Sequence, residues 1–108
     1  MTRVVIESPY AAPTAEGVAA NVAYARRCVI DSLHCGEAPY ASHLFYTQVL
    51  DDRDEDDRSL GISAGLRWGE AAEKTAVYTD RGISKGMQFG IDCAKALGRP
   101  IEYRSIGE

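Results

Sequence analysis

Residues 75–86, Thr-Ala-Val-Tyr-Thr-Asp-Arg-Gly-Ile-Ser-Lys-Gly, decide the fold because they combine a strand, a loop and the start of a helix. The apolar and β-branched residues 75–79 predict a buried strand, and residues 80–83 predict its exit loop. Ser84 can cap a helix that ends at Gly98, just before Pro100. A buried strand that leads directly into a helix is the repeating unit of a parallel α/β sheet.

The same alternation extends in both directions along the chain. We expect strands at residues 3–7, 38–41 and 101–104, helices at about 14–36 and 58–73, and one or two helical turns within 44–50. The helix at 58–73 would be capped by Asp56 or Asp57. The order strand, helix, strand, helix, strand, helix, strand predicts an α/β domain with a four- to five-stranded, mainly parallel sheet and helices on both faces.

Composition limits the classes of partner. The chain has 108 residues, 45% hydrophobic and 26% charged, so we expect residues 1–108 to form a single domain. Lys and Arg number 12 against 16 Asp and Glu, and the resulting net charge of −4 argues against nucleic-acid or membrane partners. There is no apolar run of the roughly 20 residues that a membrane span needs. We therefore expect a cytoplasmic protein that binds a small molecule or a second copy of itself.

Cysteines and acidic residues give no clear cofactor signal. Cys28, Cys35 and Cys93 are loosely spaced and odd in number, which predicts core thiols rather than disulfides or a metal site. The acidic run at 51–58 predicts a solvated loop, with a ligand or metal role for one carboxylate as the alternative. The sequence predicts no cofactor.

The helix at 58–73 carries an unusual glycine pattern. Gly61, Gly65 and Gly69 are spaced by four, although each costs about 1 kcal/mol of helix propensity relative to Ala. This pattern predicts close contact with another backbone, such as a helix of a second subunit. Trp68 of the same helix is expected in the core, and Glu70 on the solvated face.

Ligands of open parallel sheets bind beyond the carboxyl ends of the strands. Two loops there carry functional side chains, one after the first predicted strand and one after the third. The second loop opens a helix, whose free N–H groups favour anions. A plain cap at Ser84 and a turn at Gly82 are the structural alternative. The predicted ligand-binding residues are Ser8, Pro9, Tyr10, His43, Asp80, Gly82, Ser84, Lys85, Gly86 and Met87.

Three segments together resemble the nucleoside 2-deoxyribosyltransferase-like superfamily, most closely its small bacterial and phage domains of unassigned function. They are Ser8-Pro9-Tyr10, the loop 80–87 and the helix end 94–101. The resemblance implies a flavodoxin-like fold, usually oligomeric, with a nucleoside or nucleotide pocket at the carboxyl edge of the sheet. It also implies a catalytic glutamate on the last helix, but Gly90 stands at that position.

Three functions follow as open hypotheses. The first is a nucleoside- or nucleotide-type binding protein without the transferase reaction. The second is an N-glycosidase or glycosyltransferase with a relocated carboxylate, for which Asp80, Glu70 and Asp92 are the candidates. The third is a structural or regulatory homo-oligomer with a vestigial pocket.

Overall fold

Four parallel strands form the centre of the fold, in the order β2-β1-β3-β4. The structure is a computed structural model that describes residues 1–108. Its elements are β1 (Arg3–Glu7), α1 (Ala15–His34), β2 (Ala38–Tyr40), α2 (Glu55–Gly69), β3 (Lys74–Tyr78), α3 (Lys85–Ala96) and β4 (Ile101–Arg104), with 3₁₀ turns at Ser42–Leu44 and Tyr46–Gln48. The predicted α/β class is confirmed.

Strand pairing places a change of winding direction at β1. In the parallel register, Val5 of β1 lies opposite Tyr40 of β2 on one side and Thr75 of β3 on the other. The chain therefore leaves β1 toward one edge of the sheet and returns to its other side at β3. Such a reversal opens a crevice at the carboxyl ends of the two strands.

The two faces of the sheet bury different clusters. On one face Val4 and Ile6 pack with Tyr24, Cys28 and Tyr78, which attaches α1 to β1 and β3. On the other face Val77 packs with Met87 and Ile91 of α3. Alternate residues of a strand point to opposite faces. Helices therefore cover both faces of the sheet, as predicted.

Capping residues determine where α1 begins and ends. The Thr14 hydroxyl accepts a hydrogen bond from the Gly17 N–H at 3.0 Å, and Gly36 follows the helix with a φ of 78°. Cys28 is buried beneath this helix, whereas Cys35 is exposed beyond its end. The prediction of a core thiol is therefore wrong for Cys35.

Helix α2 begins and ends earlier than the sequence predicts. Its cap is Asp54, not Asp56 or Asp57, and the Asp54 carboxylate accepts hydrogen bonds from the backbone N–H groups of those two residues at 2.9 and 3.1 Å. Acidic residues at 55–57 then stabilise the first turn through the helix dipole. The helix ends at Gly69 because the Glu73 N–H already donates to the Arg3 carbonyl of the sheet.

The buried face of α2 consists of glycine rather than large apolar residues. Gly65 and Gly69 are buried, whereas Leu60 is 61% and Trp68 67% exposed. The expectation that Trp68 belongs to the core is therefore wrong. It was based on helical spacing, which does not distinguish a stripe facing the sheet from one facing outward.

The glycines of α2 make the close contacts that the sequence predicts, but within the same chain. A Cβ atom at Gly65 would lie 2.8 Å from the Ser42 Cβ, and one at Gly69 would lie 3.5 Å from Val5. At Gly61 the nearest atoms belong to Tyr46 and Leu50. The neighbours of the glycine face are therefore the segment that follows β2 and, at Gly69, strand β1, rather than a second subunit.

No helix in the structure combines the length and the apolar character needed to cross a membrane.

We expect Gly65→Ala to destabilise the protein by about 1–3 kcal/mol, because the added methyl group overlaps Ser42 and overpacking outweighs the gain in helix propensity. Urea denaturation measures the effect. Gly86→Ala is the control, because a Cβ atom there meets nothing within 4 Å. Equal or greater stability of Gly65→Ala would contradict the packing described for α2.

Candidate functional site

A crevice of about 200 Å³ lies at the carboxyl end of β1, between α2 and α3. One wall is the glycine face of α2, and the opposite wall is the first two turns of α3. The end of β1, the residues that follow it and the 3₁₀ segment after β2 complete the lining. The crevice therefore lies at the position where an open parallel sheet binds ligands.

The structure brings the two predicted loops together at this crevice. The predicted residues that line it are Ser8, Tyr10, His43, Ser84, Gly86 and Met87. The remaining predicted residues, Pro9, Asp80, Gly82 and Lys85, do not line it. The turn after β1 and the start of α3 thus face one space, whereas the outer part of the loop 80–85 does not.

Hydrogen bonds hold both loops in place. The Asn21 side-chain amide of α1 donates to the Tyr10 carbonyl at 2.9 Å, which attaches the loop after β1 to that helix. The Ser84 hydroxyl accepts from the Met87 N–H at 3.2 Å and so caps α3. The cap is the structural alternative considered for Ser84, and it coexists with a position in the crevice wall.

Ser8 and His43 form a hydrogen-bonded pair inside the crevice. The Ser8 Oγ lies 2.6 Å from the His43 Nε2, although 35 residues separate them in sequence. Burial lowers the pKa of His43 to about 4, so the imidazole is neutral at physiological pH. The sequence neighbour of His43, Ser42, instead packs against Gly65.

Glu7 is the principal site residue that the sequence predictions omit. It is the last residue of β1, on the face that packs against α3, and its carboxylate makes no hydrogen bond or ion pair within the chain. A Cβ atom at Gly90 would lie 2.8 Å from one Glu7 carboxylate oxygen and closer still to the other. Burial raises the pKa of Glu7 to about 8, opposed by the positive charge of Arg99.

Two further polar side chains of the crevice were also missed. Arg99 is fixed in the crevice floor because it donates to the Thr75 hydroxyl at 2.9 Å and to the Gly69 carbonyl at 2.7 Å. The hydroxyl of Tyr40 is buried without a hydrogen-bond partner in the chain. A charged residue, Glu7, directly after the apolar run Val4-Val5-Ile6 was the available signal for this part of the site.

Asp80 has a structural role at the opposite side of the loop. Its carboxylate accepts from the Tyr24 hydroxyl and the Ser105 hydroxyl, each at 2.6 Å, and from the backbone N–H groups of residues 106–108. Burial tends to raise the pKa of Asp80, but these hydrogen bonds hold it below its ordinary value. Asp80 therefore anchors the C-terminal segment and offers no free carboxylate to the crevice.

Glu70 and Asp92 also lie outside the crevice. Glu70 pairs with Arg67 on the surface of α2, and Asp92 accepts a hydrogen bond from Gln88 on the surface of α3. None of the three candidate catalytic carboxylates is placed to contact a ligand there. From the acidic run, Asp52 and Asp57 do line the crevice, so that run is more than a solvated loop.

Comparison with known proteins identifies the family. A sequence model described as a domain of unknown function, DUF7768, matches residues 2–104. The chain belongs to the DUF7768 family. No curated protein sequence matches this DUF7768 chain.

The fold of the chain resembles that of a nucleoside-processing enzyme. A solved structure of 2-deoxyribosyltransferase from Bacillus psychrosaccharolyticus superposes with a TM-score of 0.68 at 17% sequence identity. The match covers 99% of the DUF7768 chain and 75% of the transferase chain. At this identity the similarity is one of fold, and it confirms the predicted flavodoxin-like architecture.

The raised pKa of Glu7 predicts a pH-dependent stability. Because the carboxyl group holds its proton more tightly when folded, the contribution of Glu7 to the free energy of unfolding should fall as pH rises from about 4.5 to about 8, while buried His43 contributes in the opposite direction below about pH 6.5. Glu7→Gln does not titrate, so its stability relative to wild type should increase over that range. Thermal denaturation at pH 5, 7 and 9 measures this, with Glu70→Gln as the surface control. Parallel curves for wild type and Glu7→Gln would show that Glu7 is not desolvated.

Proposed function

We propose that the crevice binds a nucleoside-type small molecule. The observation that carries this proposal is the convergence of the turn after β1 and the start of α3 on one space at the winding reversal of the sheet. Support comes from the fold, which the chain shares with a 2-deoxyribosyltransferase. On this proposal the chain is a member of the nucleoside 2-deoxyribosyltransferase-like superfamily that the sequence resembles.

The crevice offers complementary groups for both halves of a nucleoside. Aromatic side chains of Tyr10, Tyr46 and Phe89 are available to stack on a planar base. The Ser8–His43 pair and the unpartnered hydroxyl of Tyr40 can exchange hydrogen bonds with sugar hydroxyls. A ligand hydrogen bond to Tyr40 would satisfy a buried polar group that the protein leaves unpaired.

The crevice lining has no excess of basic side chains of the kind that would favour a polyphosphate over a nucleoside. The acidic side chains of the lining are Glu7, Asp52 and Asp57, and the basic ones are Arg58 and Arg99. The two basic side chains of the loop 80–85 are elsewhere. Arg81 pairs with Glu108 at 3.5 Å, and Lys85 does not line the crevice.

The proposed nucleoside binding predicts an increase in the melting temperature that depends on Tyr10. A nucleoside present at 100 times its Kd should stabilise the protein by about 2.7 kcal/mol, and a nucleoside triphosphate should stabilise it less. Tyr10→Ala should weaken nucleoside binding by about tenfold or more through lost stacking, equivalent to about 1.4 kcal/mol.

The control for this experiment is Tyr103→Ala, which removes an aromatic side chain that is 54% exposed and outside the crevice. Calorimetric titration of purine and pyrimidine nucleosides provides the affinities. No shift with any nucleoside, or equal losses in Tyr10→Ala and Tyr103→Ala, would refute the proposed function.

We also propose that the chain self-associates through the outward face of α2. Leu60 and Trp68 lie two turns apart on this face and are more than half exposed, at 61% and 67%. Exposed apolar stripes of this kind mark protein contacts. This face is separate from the glycine face, so assembly leaves the contacts between α2 and Ser42 unchanged.

The assembly is tested by light scattering. Trp68→Lys should lower the measured mass toward that of a monomer, because a buried ammonium group at the contact is unfavourable. Ala23→Lys, at an exposed position of α1, adds the same charge away from this face and should leave the mass unchanged. A monomeric wild type, or an unchanged mass in Trp68→Lys, would exclude this contact.

A further inference from the structure

The carboxyl group of Glu7 is the chemically reactive feature of the crevice. It lies at the carboxyl end of β1, makes no hydrogen bond or ion pair, and lines the space between α2 and α3. Glu7 is partly buried, and a partly desolvated acid without protein partners is costly to keep. Ionisable groups with such a perturbed environment are concentrated at functional sites. Its environment therefore points to a ligand atom as its partner.

Gly90 of α3 lies beside the Glu7 carboxylate and has no side chain to contact it. The Glu7 carboxylate fills the space where a side chain at residue 90 would begin. In this arrangement, a carboxylate from α3 at residue 90 would take the place of the one from β1. The crevice thus carries its acid on the strand rather than on the helix. None of Asp80, Glu70 and Asp92 competes for this role, since none lines the crevice.

The surroundings of Glu7 favour its protonated form. Desolvation between β1 and α3 raises its pKa to about 8, and Arg99 is the charge that opposes the rise. The other ionisable groups in the crevice are His43 after β2, Asp52 before α2, Asp57 and Arg58 on α2, and the hydroxyls of Tyr10, Tyr40 and Tyr46, while Val77 of β3 and Gly90 contribute no charge. A carboxylic acid that is neutral near pH 7 can donate its proton to a leaving group.

We infer that Glu7 is the catalytic acid of an N-glycosidic bond hydrolysis, donating a proton to the base of a nucleoside held in the crevice. The inference rests on the proposed function. The bond from the anomeric carbon of a nucleoside to the base nitrogen can be hydrolysed by water once the leaving base is protonated, which is the help that a neutral carboxylic acid gives.

The step balances with water as co-reactant. The Glu7 proton moves to a ring nitrogen or carbonyl oxygen of the base, and the electron pair of the carbon–nitrogen bond leaves with the base. A water oxygen bonds to the anomeric carbon, and the water proton returns to the Glu7 carboxylate. The products are the free base and the free sugar, and Glu7 is again protonated. His43 is neutral with its Nε2 bonded to Ser8, so it is not the acid.

The experiment compares two substrates that differ in their need for an acid. Glu7→Gln keeps the size of the side chain but cannot give up a proton. We expect its kcat for nucleoside hydrolysis to fall by about 10²–10⁴-fold, with calorimetric affinity for the nucleoside retained. For 4-nitrophenyl β-D-ribofuranoside, whose leaving group departs without protonation, the loss should be less than about tenfold. Glu70→Gln is the surface control for both substrates.

A second measurement uses only the wild-type protein. Its kcat/KM for a nucleoside should be constant below about pH 8 and fall by about tenfold per pH unit above it, as the acid is lost. The pH profile decides the matter even if Glu7→Gln fails to fold. A rate that rises through this range would instead identify an ionised carboxylate and overturn the inference.

The remaining outcomes separate this inference from the proposed function. Nucleoside binding without release of free base by the wild type would refute the role of Glu7 and leave the binding function standing. Equal losses on both substrates in Glu7→Gln would also refute proton donation. Absence of nucleoside binding would refute both.

Discussion

The close approach of α3 to β1 at Gly90 is the constraint on which the site depends. Without a side chain at residue 90, the helix leaves space for the Glu7 carboxylate. Met87, one turn before Gly90, and Ile91, one residue after it, pack on Val77. A partly buried acid and an apolar cluster therefore share one face of the sheet. The acid has no partner in the chain, so its protonation is set by the water-poor environment and by Arg99.

The two sides of the sheet differ in whether their polar side chains have hydrogen-bond partners within the chain. On the α1 side, carboxylates are satisfied within the chain: Asp80 binds the backbone of the last residues, and Tyr78 donates to Asp31 at 2.7 Å. On the side of α2 and α3, Glu7 and the Tyr40 hydroxyl are left without partners. Polar groups with partners in the chain and polar groups without them thus lie on opposite faces of the same four strands.

Local sequence signals predicted most of the fold and the position of the site. Strand composition, the Thr14 and Ser84 caps and the helix end near Gly98 act within a few residues, so they can be recognised without knowing the tertiary structure. Parallel topology then placed the two loops at the same edge. The start of α2 was missed because several acidic residues can cap a helix and only geometry selects Asp54.

A contact distant in sequence also determines where the candidate catalytic carboxylates lie. Asp80 follows the correct strand, but the chain end folds over it and uses both carboxylate oxygens, a contact between residues more than 20 apart. Glu7 becomes notable only when Gly90 is seen beside it, a contact across 83 positions of sequence. Ser8 and His43 likewise meet only through the pairing of β1 with β2.

The walls of the crevice carry a consequence for how its specificity can change. At Gly61, Gly65, Gly69 and Gly90 the boundary of the cavity is main chain, so no truncation of a side chain there can widen it. Substitution at these four positions can only make the opening smaller. The crevice can therefore be widened only at walls made of side chains, such as Tyr10, Tyr46 and Phe89, or by a shift of α2 or α3, whereas single methyl groups at the glycines suffice to narrow it.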